Sequence, residues 1–438
     1  MKFWNEILNF PYLLKAALLA AALWQGVYGM FQLFGWRVSL HPDYPFTGSF
    51  YNPGPFACYL SLTFPLALYE FSKGEWRWMR WLGGMVIAVD ALLLPASMSR
   101  TAWIAALLGS AVAFAPLLLG TFRRNRGITL GAILVGCCAI GWGIYMLKPA
   151  SADGRFLMWK VAAKAVEASP FNGSGWDYIA GRYGEAQEAY FAGGNGSEQE
   201  MMVADAPEYV FNEYLQVAIA YGWGWSLLMT ALLAAAFITA WRNQRLGIAG
   251  AVLASAVVMT ASYPFQFNLS VVTIGGILLA AILSTAMLEV RILGVCAVGL
   301  FCIALLREER RMDRNMMFTV AHMHHKRGEW QKSNDLLKEF LRESADPMPL
   351  NIIGKNYKEL GMRDSAEYYL RRSVNRCPNR LYPHYLLMKL YSDSVGGNRR
   401  KAREEARIIL TMREKIPSPA VEEMRTEAEE CLKLKSKK

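Results

Sequence analysis

Two groups of residues in this 438-residue chain could do chemistry. The first is a set of arginines. Arg100, in SMSRTAW, lies in a connector between two apolar blocks that is too short to be an ordinary soluble loop, and Arg155 opens an amphipathic stretch directly after Asp153-Gly154. A guanidinium at the end of an apolar block either snorkels to lipid phosphate or holds an anion. Two of them, with Arg182 nearby in sequence, suit a diphosphate, because guanidinium forks match phosphate oxygens bidentately. The second group is in VFNEYLQVAIAYGWGW, where Asn212 and Glu213 stand at the entry of a polar stretch into an apolar one. Desolvation there favours the protonated form of a carboxylate and suits a general base, while a first-turn carboxylate is also favoured by the helix dipole alone. GSFYNPGPFACYL, with Asn52-Pro53-Gly54-Pro55 as a rigid turn, reads as architecture. Asp90, alone in an apolar block, is either a functional intramembrane carboxylate or a partner in a buried hydrogen bond.

Metal chemistry has little to work with. There is no CxxC or Cys/His cluster at zinc spacing, and His322, His324 and His325 share one helical stretch without a Cys or carboxylate pattern, so a solvated helix face is expected there. Of the seven cysteines, Cys58, Cys137, Cys138, Cys296 and Cys302 fall in apolar blocks, where Cys behaves as a small hydrophobe. No metal and no cofactor are expected.

The elements that must position these groups follow from composition. The chain is 54% apolar, yet 29 of its 47 basic and 20 of its 36 acidic residues fall after Leu306. That asymmetry predicts an all-α protein in two parts: a polytopic membrane domain over 1–306 and a soluble helical repeat domain over 307–438. Nine candidate spans are expected at about 13–34, 54–71, 81–97, 101–120, 127–147, 213–240, 246–263, 268–288 and 290–306. Lys73, Arg77 and Arg80, then Arg123, Arg124 and Arg126, then Arg242 and Arg245 mark three connectors as cytoplasmic. The large loop 148–212 and the tail then fall outside. The net charge of +11 resides mainly in the tail and gives no argument for nucleic acid, which is not expected as a partner.

The external loop 148–212 is net negative, with five basic and nine acidic residues. Phe156, Trp159, Ala163 and Val166 predict the apolar face of a helix lying on the membrane surface and ended by Pro170, before the glycine turn FNGSGW. In the tail, turns at Gly328, Gly361 and Gly397 recur 33 and 36 residues apart, with prolines at Pro347, Pro378 and Pro417 closing the units. That period resembles tetratricopeptide repeats, which present a groove to a protein partner; a helical cap that stabilises the membrane domain fits the same pattern.

In order along the chain, GSFYNPGPFACYL, SMSRTAW, GRFLMWKVAAKAVEASPFNGSGW and FNEYLQVAIAYGWGW resemble the O-antigen ligase and polymerase superfamily of bacterial envelope glycosyltransferases, from about Thr47 to Trp225. The resemblance implies a multi-pass protein of the bacterial inner membrane with a periplasmic tail. It implies transfer of a glycan from undecaprenyl diphosphate to a hydroxyl of a lipid, glycan or protein acceptor, without metal or nucleotide sugar. The family's diphosphate-binding arginines fall on Arg100 and Arg155. Two departures stand out. The family's His-Asn pair is Phe211-Asn212 here, which makes Glu213 the replacement base, and one span precedes the GSF segment where members usually have several, as in a shortened form or a chain read from a late start. Polymerisation and protein O-glycosylation are the alternatives within the enzyme class; a transporter or flippase and a non-catalytic assembly factor are those outside it.

Overall fold

The computed structural model describes residues 2–124, 149–306, 311–393, 397–413 and 418–433, which are helical with connecting turns. The expected span 127–147 and the basic residue Arg126 lie outside the described residues. The chain divides into two compact units. The first comprises Met1–Leu147, Phe211–Tyr214 and Trp225–Glu308, and the second Lys148–Val210, Leu215–Gly224 and Glu309–Lys438.

In the first unit, four helices among the described residues are long and apolar enough to cross a membrane: Pro11–Leu33, Arg77–Ala96, Trp223–Arg242 and Leu288–Leu305. Among the shorter apolar helices, Arg100–Ala113 and Leu246–Ala261 pack on each other and on Pro53–Lys73, which packs on Arg77–Ala96, and Asn268–Ile282 packs on the first helix and on Leu288–Leu305. Two expected spans are broken. The stretch 101–120 stops at Phe114 and resumes as Ala115–Arg124, and 213–240 stops at Tyr221 and resumes at Trp223. Apolarity runs straight through both breaks, so composition alone could not mark them.

Close helix approach explains the glycines in this core. A methyl group at Gly109 would lie 2.6 Å from the Gly250 carbonyl oxygen, and one at Gly250 would lie 2.3 Å from that of Gly109, so only glycine allows Arg100–Ala113 and Leu246–Ala261 to cross there. The entry to Pro53–Lys73 is fixed by polar contacts from the first helix. Gln32 Oε1 accepts from the Thr47 and Gly48 N–H groups at 2.9 and 2.7 Å, and Asn52 caps the helix by accepting from Gly54 N–H at 2.9 Å, with Pro53 at its first turn. Lys15 and the buried Glu70 form an ion pair that sequence spacing did not disclose. Asp90 is buried, and neither carboxylate oxygen has a hydrogen-bond partner among the described residues.

The second unit joins the long loop to the tail. Helix Pro149–Glu167 buries Leu157, Val161, Ala165 and Val166, while Phe156 is exposed and stands edge-on to Trp159 at 5.8 Å. Of the expected face, Phe156 is exposed, Trp159 and Ala163 are half-buried and Val166 is buried, while the neighbouring aliphatic stripe packs inward. Helix Ile179–Ala192 packs against Trp330–Glu343 and Arg363–Arg376 of the tail. The tail consists of helix pairs: Arg311–Lys326 with Trp330–Glu343, Met348–Glu359 with Arg363–Arg376, and Leu381–Ser392 with Arg399–Thr411, followed by Pro419–Lys433. Leu337, Leu341, Leu350, Ile353, Leu370, Leu387 and Tyr391 form its core. His324 bonds Glu329 at 2.8 Å and His325 meets Asn356 at 2.5 Å, so these histidines serve contacts within the tail.

A buried charge pair ties the loop to the tail inside this unit. Arg376 is fully buried and pairs with Glu188, which also receives Arg372 Nε at 2.7 Å. Burial pulls the Arg376 guanidinium below its ordinary pKa, and the adjacent Glu188 opposes that shift. The extended segment after Glu198–Val203 is held through its backbone. Asn379 Nδ2 donates to the Met202 and Ala204 carbonyls at 3.0 and 2.6 Å, and Gln187 Nε2 donates to Asp205 O at 2.9 Å. Arg380 and Arg314 pair with Asp205 and Glu208 at 3.3 and 2.8 Å.

Two outcomes follow. Removing one partner of a buried pair leaves an uncompensated charge, at a cost of about 3–5 kcal/mol, so Glu188→Ala should lower the thermal unfolding transition of the second unit. Glu188→Leu with Arg376→Met should recover most of the loss. A single mutant unfolding at the parental temperature would show that the pair carries no such energy. The second outcome concerns pH. Although burial opposes it, Lys160, the Ser197 N–H and Tyr190 hold the Glu200 carboxyl down at about 2. Because the folded value lies below the unfolded one, the stabilisation is complete above the ordinary carboxylate range and is lost as pH falls toward 2. Amide exchange in Glu198–Val203 should therefore accelerate over that window in the native chain more steeply than in Glu200→Gln.

Candidate functional site

Three of the four motifs converge on one turn of the first unit, Ser262–Phe267, which joins helices Leu246–Ala261 and Asn268–Ile282. From GSFYNPG, the Phe50 ring meets Phe267 at 5.0 Å. From SMSRTAW, Thr101 Oγ1 donates to the Ala261 carbonyl at 3.4 Å. From VFNEY, Phe211 packs edge-on against Tyr263 at 4.8 Å, and Tyr214 OH donates to the Ala256 carbonyl at 3.2 Å. Glu213 itself is fully buried, and its Oε1 accepts the Phe265 N–H at 2.7 Å. Its carboxylate thus satisfies a backbone donor that would otherwise be buried without a partner. Asn212 is half-buried beside it, and Phe211 adopts a left-handed backbone at φ +55° that is unusual for a bulky residue.

The SMSRTAW connector is a tight turn. Met98 takes φ +50°, Ser97 Oγ accepts the Ser99 N–H at 3.2 Å, and Trp103 Nε1 donates back to Leu94 O at 2.6 Å. Arg100 is the first residue of Arg100–Ala113 and half-buried. A guanidinium at a helix N-terminus adds its charge to that of the macrodipole, and both favour an anion.

In the second unit, Arg155 is half-buried on Pro149–Glu167. Arg182 is exposed on Ile179–Ala192 and pairs with Glu185 at 3.0 Å. The FNGSGW and AYGWGW motifs meet in this unit. Helix Glu213–Tyr221 ends because Gly222 turns at φ +89°, and its last carbonyls are received by the glycine turn: Ser174 N–H and Oγ bond Ile219 O at 2.9 and 3.0 Å, and Gly175 N–H bonds Ala220 O at 2.9 Å. In return Trp223 N–H donates to Pro170 O at 2.9 Å. A methyl group at Gly173 or Gly222 would lie 2.3 Å from the Ala220 or Phe171 carbonyl oxygen.

The matched region now has a geometry to compare. Residues 83–230 match the family model described as O-antigen ligase. No curated protein and no solved structure gives a match to the chain. The matched residues contain SMSRTAW, the Arg155 helix, both glycine turns and Asn212-Glu213, and the match supports the O-antigen ligase superfamily. With the apolar helices it supports a membrane protein of ligase or polymerase type. Sequence reasoning left a connector between the spans 246–263 and 268–288 but gave it no part in the site; the turn Ser262–Phe267 lies beyond the matched residues. It contains no titratable side chain other than Tyr263, and Pro264 between two apolar blocks was its only local signal.

The interlocked glycines make a direct forecast. Gly173→Ala and Gly222→Ala each combine a left-handed backbone with a clash against a carbonyl, and each should cost about 2 kcal/mol or more. A thermal shift in detergent would check this, and parental stability for either variant would count against the interlock.

Proposed function

We propose that the chain is a membrane glycosyltransferase that moves a glycan from a lipid diphosphate to an acceptor hydroxyl. The observation that supports this most is the convergence of the GSF, SRT and FNEY segments on one turn, together with the match of residues 83–230 to the O-antigen ligase family. In this reading Arg100 and Arg155 neutralise the diphosphate, with Arg182 as a further contact once it leaves Glu185. Asn212 orients the acceptor hydroxyl, and Glu213 takes its proton as the glycosidic carbon is attacked and the diphosphate departs. Diphosphate is already a good leaving group, so two cations and a base suffice for the displacement.

In this reading the positive connectors stay cytoplasmic, so the chemistry, the loop and the tail lie on the extracytoplasmic face, of the inner membrane as the resemblance implies. The tail reads as tetratricopeptide-like helix pairs whose first task is to hold the loop segment 202–208. Ligation to a lipid, polymerisation onto another lipid-linked glycan and transfer to a protein are versions of one reaction that differ in acceptor.

The two roles separate by mutation in purified protein reconstituted in lipid. Arg100→Ala should weaken donor binding and turnover together, through loss of a charge-assisted contact worth about 1.5–3 kcal/mol, and Arg100→Lys should recover only part. Glu213→Gln retains an oxygen for the Phe265 N–H but cannot take a proton, so donor binding should survive while transfer falls about 10²–10⁴-fold. Transfer at the parental rate would leave Glu213 as an anchor of the turn and send the search for the base to Asp177, Asp205 or Glu208.

A further inference from the structure

The second unit contains a cavity of about 500 Å³ walled by the loop segment 205–208 on one side and by tail helices on the other. That volume lies within the roughly 300–1,000 Å³ of small-ligand pockets. Asn351, from helix Met348–Glu359, lines it while only 4% exposed, and its Oδ1 has no hydrogen-bond partner among the described residues. A buried acceptor is thus left without a protein partner on a residue that lines the cavity, and native structures rarely leave one without a ligand or water.

The remaining lining specifies the chemistry. Asp205 and Glu208 are each opposed by an arginine, Arg380 and Arg314, so the wall offers no net positive field to a diphosphate. Asp346, whose Oδ1 accepts the Met348 N–H at 2.9 Å, adds a carboxylate, and Tyr382 adds an aromatic ring. Carboxylates and an amide that accept from hydroxyls, beside a ring on which an apolar sugar face can rest, suit a neutral saccharide. A peptide strand is less suited, because the backbone-binding groups Asn379 and Gln187 are already engaged by the chain's own residues 202–205.

We propose that this cavity is a saccharide subsite that holds about one or two sugar rings of the glycan chain. The proposal rests on the transferase reading and adds where the sugars, as distinct from the diphosphate, are gripped. Its wall residues 205–208 precede Asn212 and Glu213 closely in sequence, so sugar binding would act on the segment that leads into them.

The test uses the full chain in lipid nanodiscs. The probe is the cell's own envelope glycan, freed from its lipid by mild acid and trimmed to one or two repeat units, with the intact lipid-linked donor titrated onto the same samples. Saturable binding of the free glycan is expected, weakened at least ten-fold by Asn351→Leu and by Asp346→Asn. The latter keeps the oxygen that accepts the Met348 N–H, and it decides the matter if the former lowers the melting temperature. Donor binding without free-glycan binding would overturn the subsite and leave the transferase reading standing. Binding of neither would overturn both, and glycan binding unchanged in the two variants would put the sugar site elsewhere and overturn the assignment.

Discussion

A buried carboxylate that accepts one backbone N–H organises the first unit. The Glu213 side chain reaches the Phe265 amide across 52 residues of sequence and satisfies a donor that the turn Ser262–Phe267 cannot pair internally. Both groups are out of water, so either one left alone would carry the full desolvation penalty, and together they form a charge-assisted bond stronger than a neutral one. The turn fixed in this way presents Tyr263 to Phe211 and Phe267 to Phe50, while the helix before it presents Ala261 to Thr101. Each contact draws a different motif to the same place. The catalytic proposal depends on that arrangement, because Arg100 opens the helix that Thr101 anchors, and Asn212 precedes the carboxylate itself.

The second unit works by a different economy of contacts. Its loop helices include Glu198–Val203, which spans six residues, too few to be stable in isolation. They are held by the tail through the Glu188 ion pair and by side-chain amides that bond main-chain carbonyls. Amide-to-backbone bonds fix an extended segment without demanding particular side chains on it, and arginines then pin Asp205 and Glu208. The tail therefore shapes the loop that leads into the Asn212-Glu213 segment.

Local features were legible in the sequence, and distant ones were not. The helical class, the apolar blocks and the turns at Gly328 and Gly361 followed from composition and spacing, since each depends on a few adjacent residues; both glycines take the left-handed backbone that ends one helix before the next. The break at Gly222 was hidden because the neighbouring residues are apolar and the carbonyl acceptors are satisfied by Ser174 and Gly175, some 45 residues away. Glu188 could not be matched to Arg372 across 184 residues by any periodicity. At the candidate site, reading for chemistry singled out Arg100, Asn212 and Glu213 and passed over Phe265, whose contribution is a main-chain N–H that any residue other than proline would supply.

The most direct measurement of the central claim is hydrogen exchange at the Phe265 amide in the reconstituted chain and in Glu213→Ala. The account predicts strong protection in the native chain and a loss of at least ten-fold in the variant, with the amides of helix Leu246–Ala261 unchanged as an internal reference. Equal exchange at Phe265 in the two proteins would show that the carboxylate does not hold the turn, and would contradict the organisation described for the site.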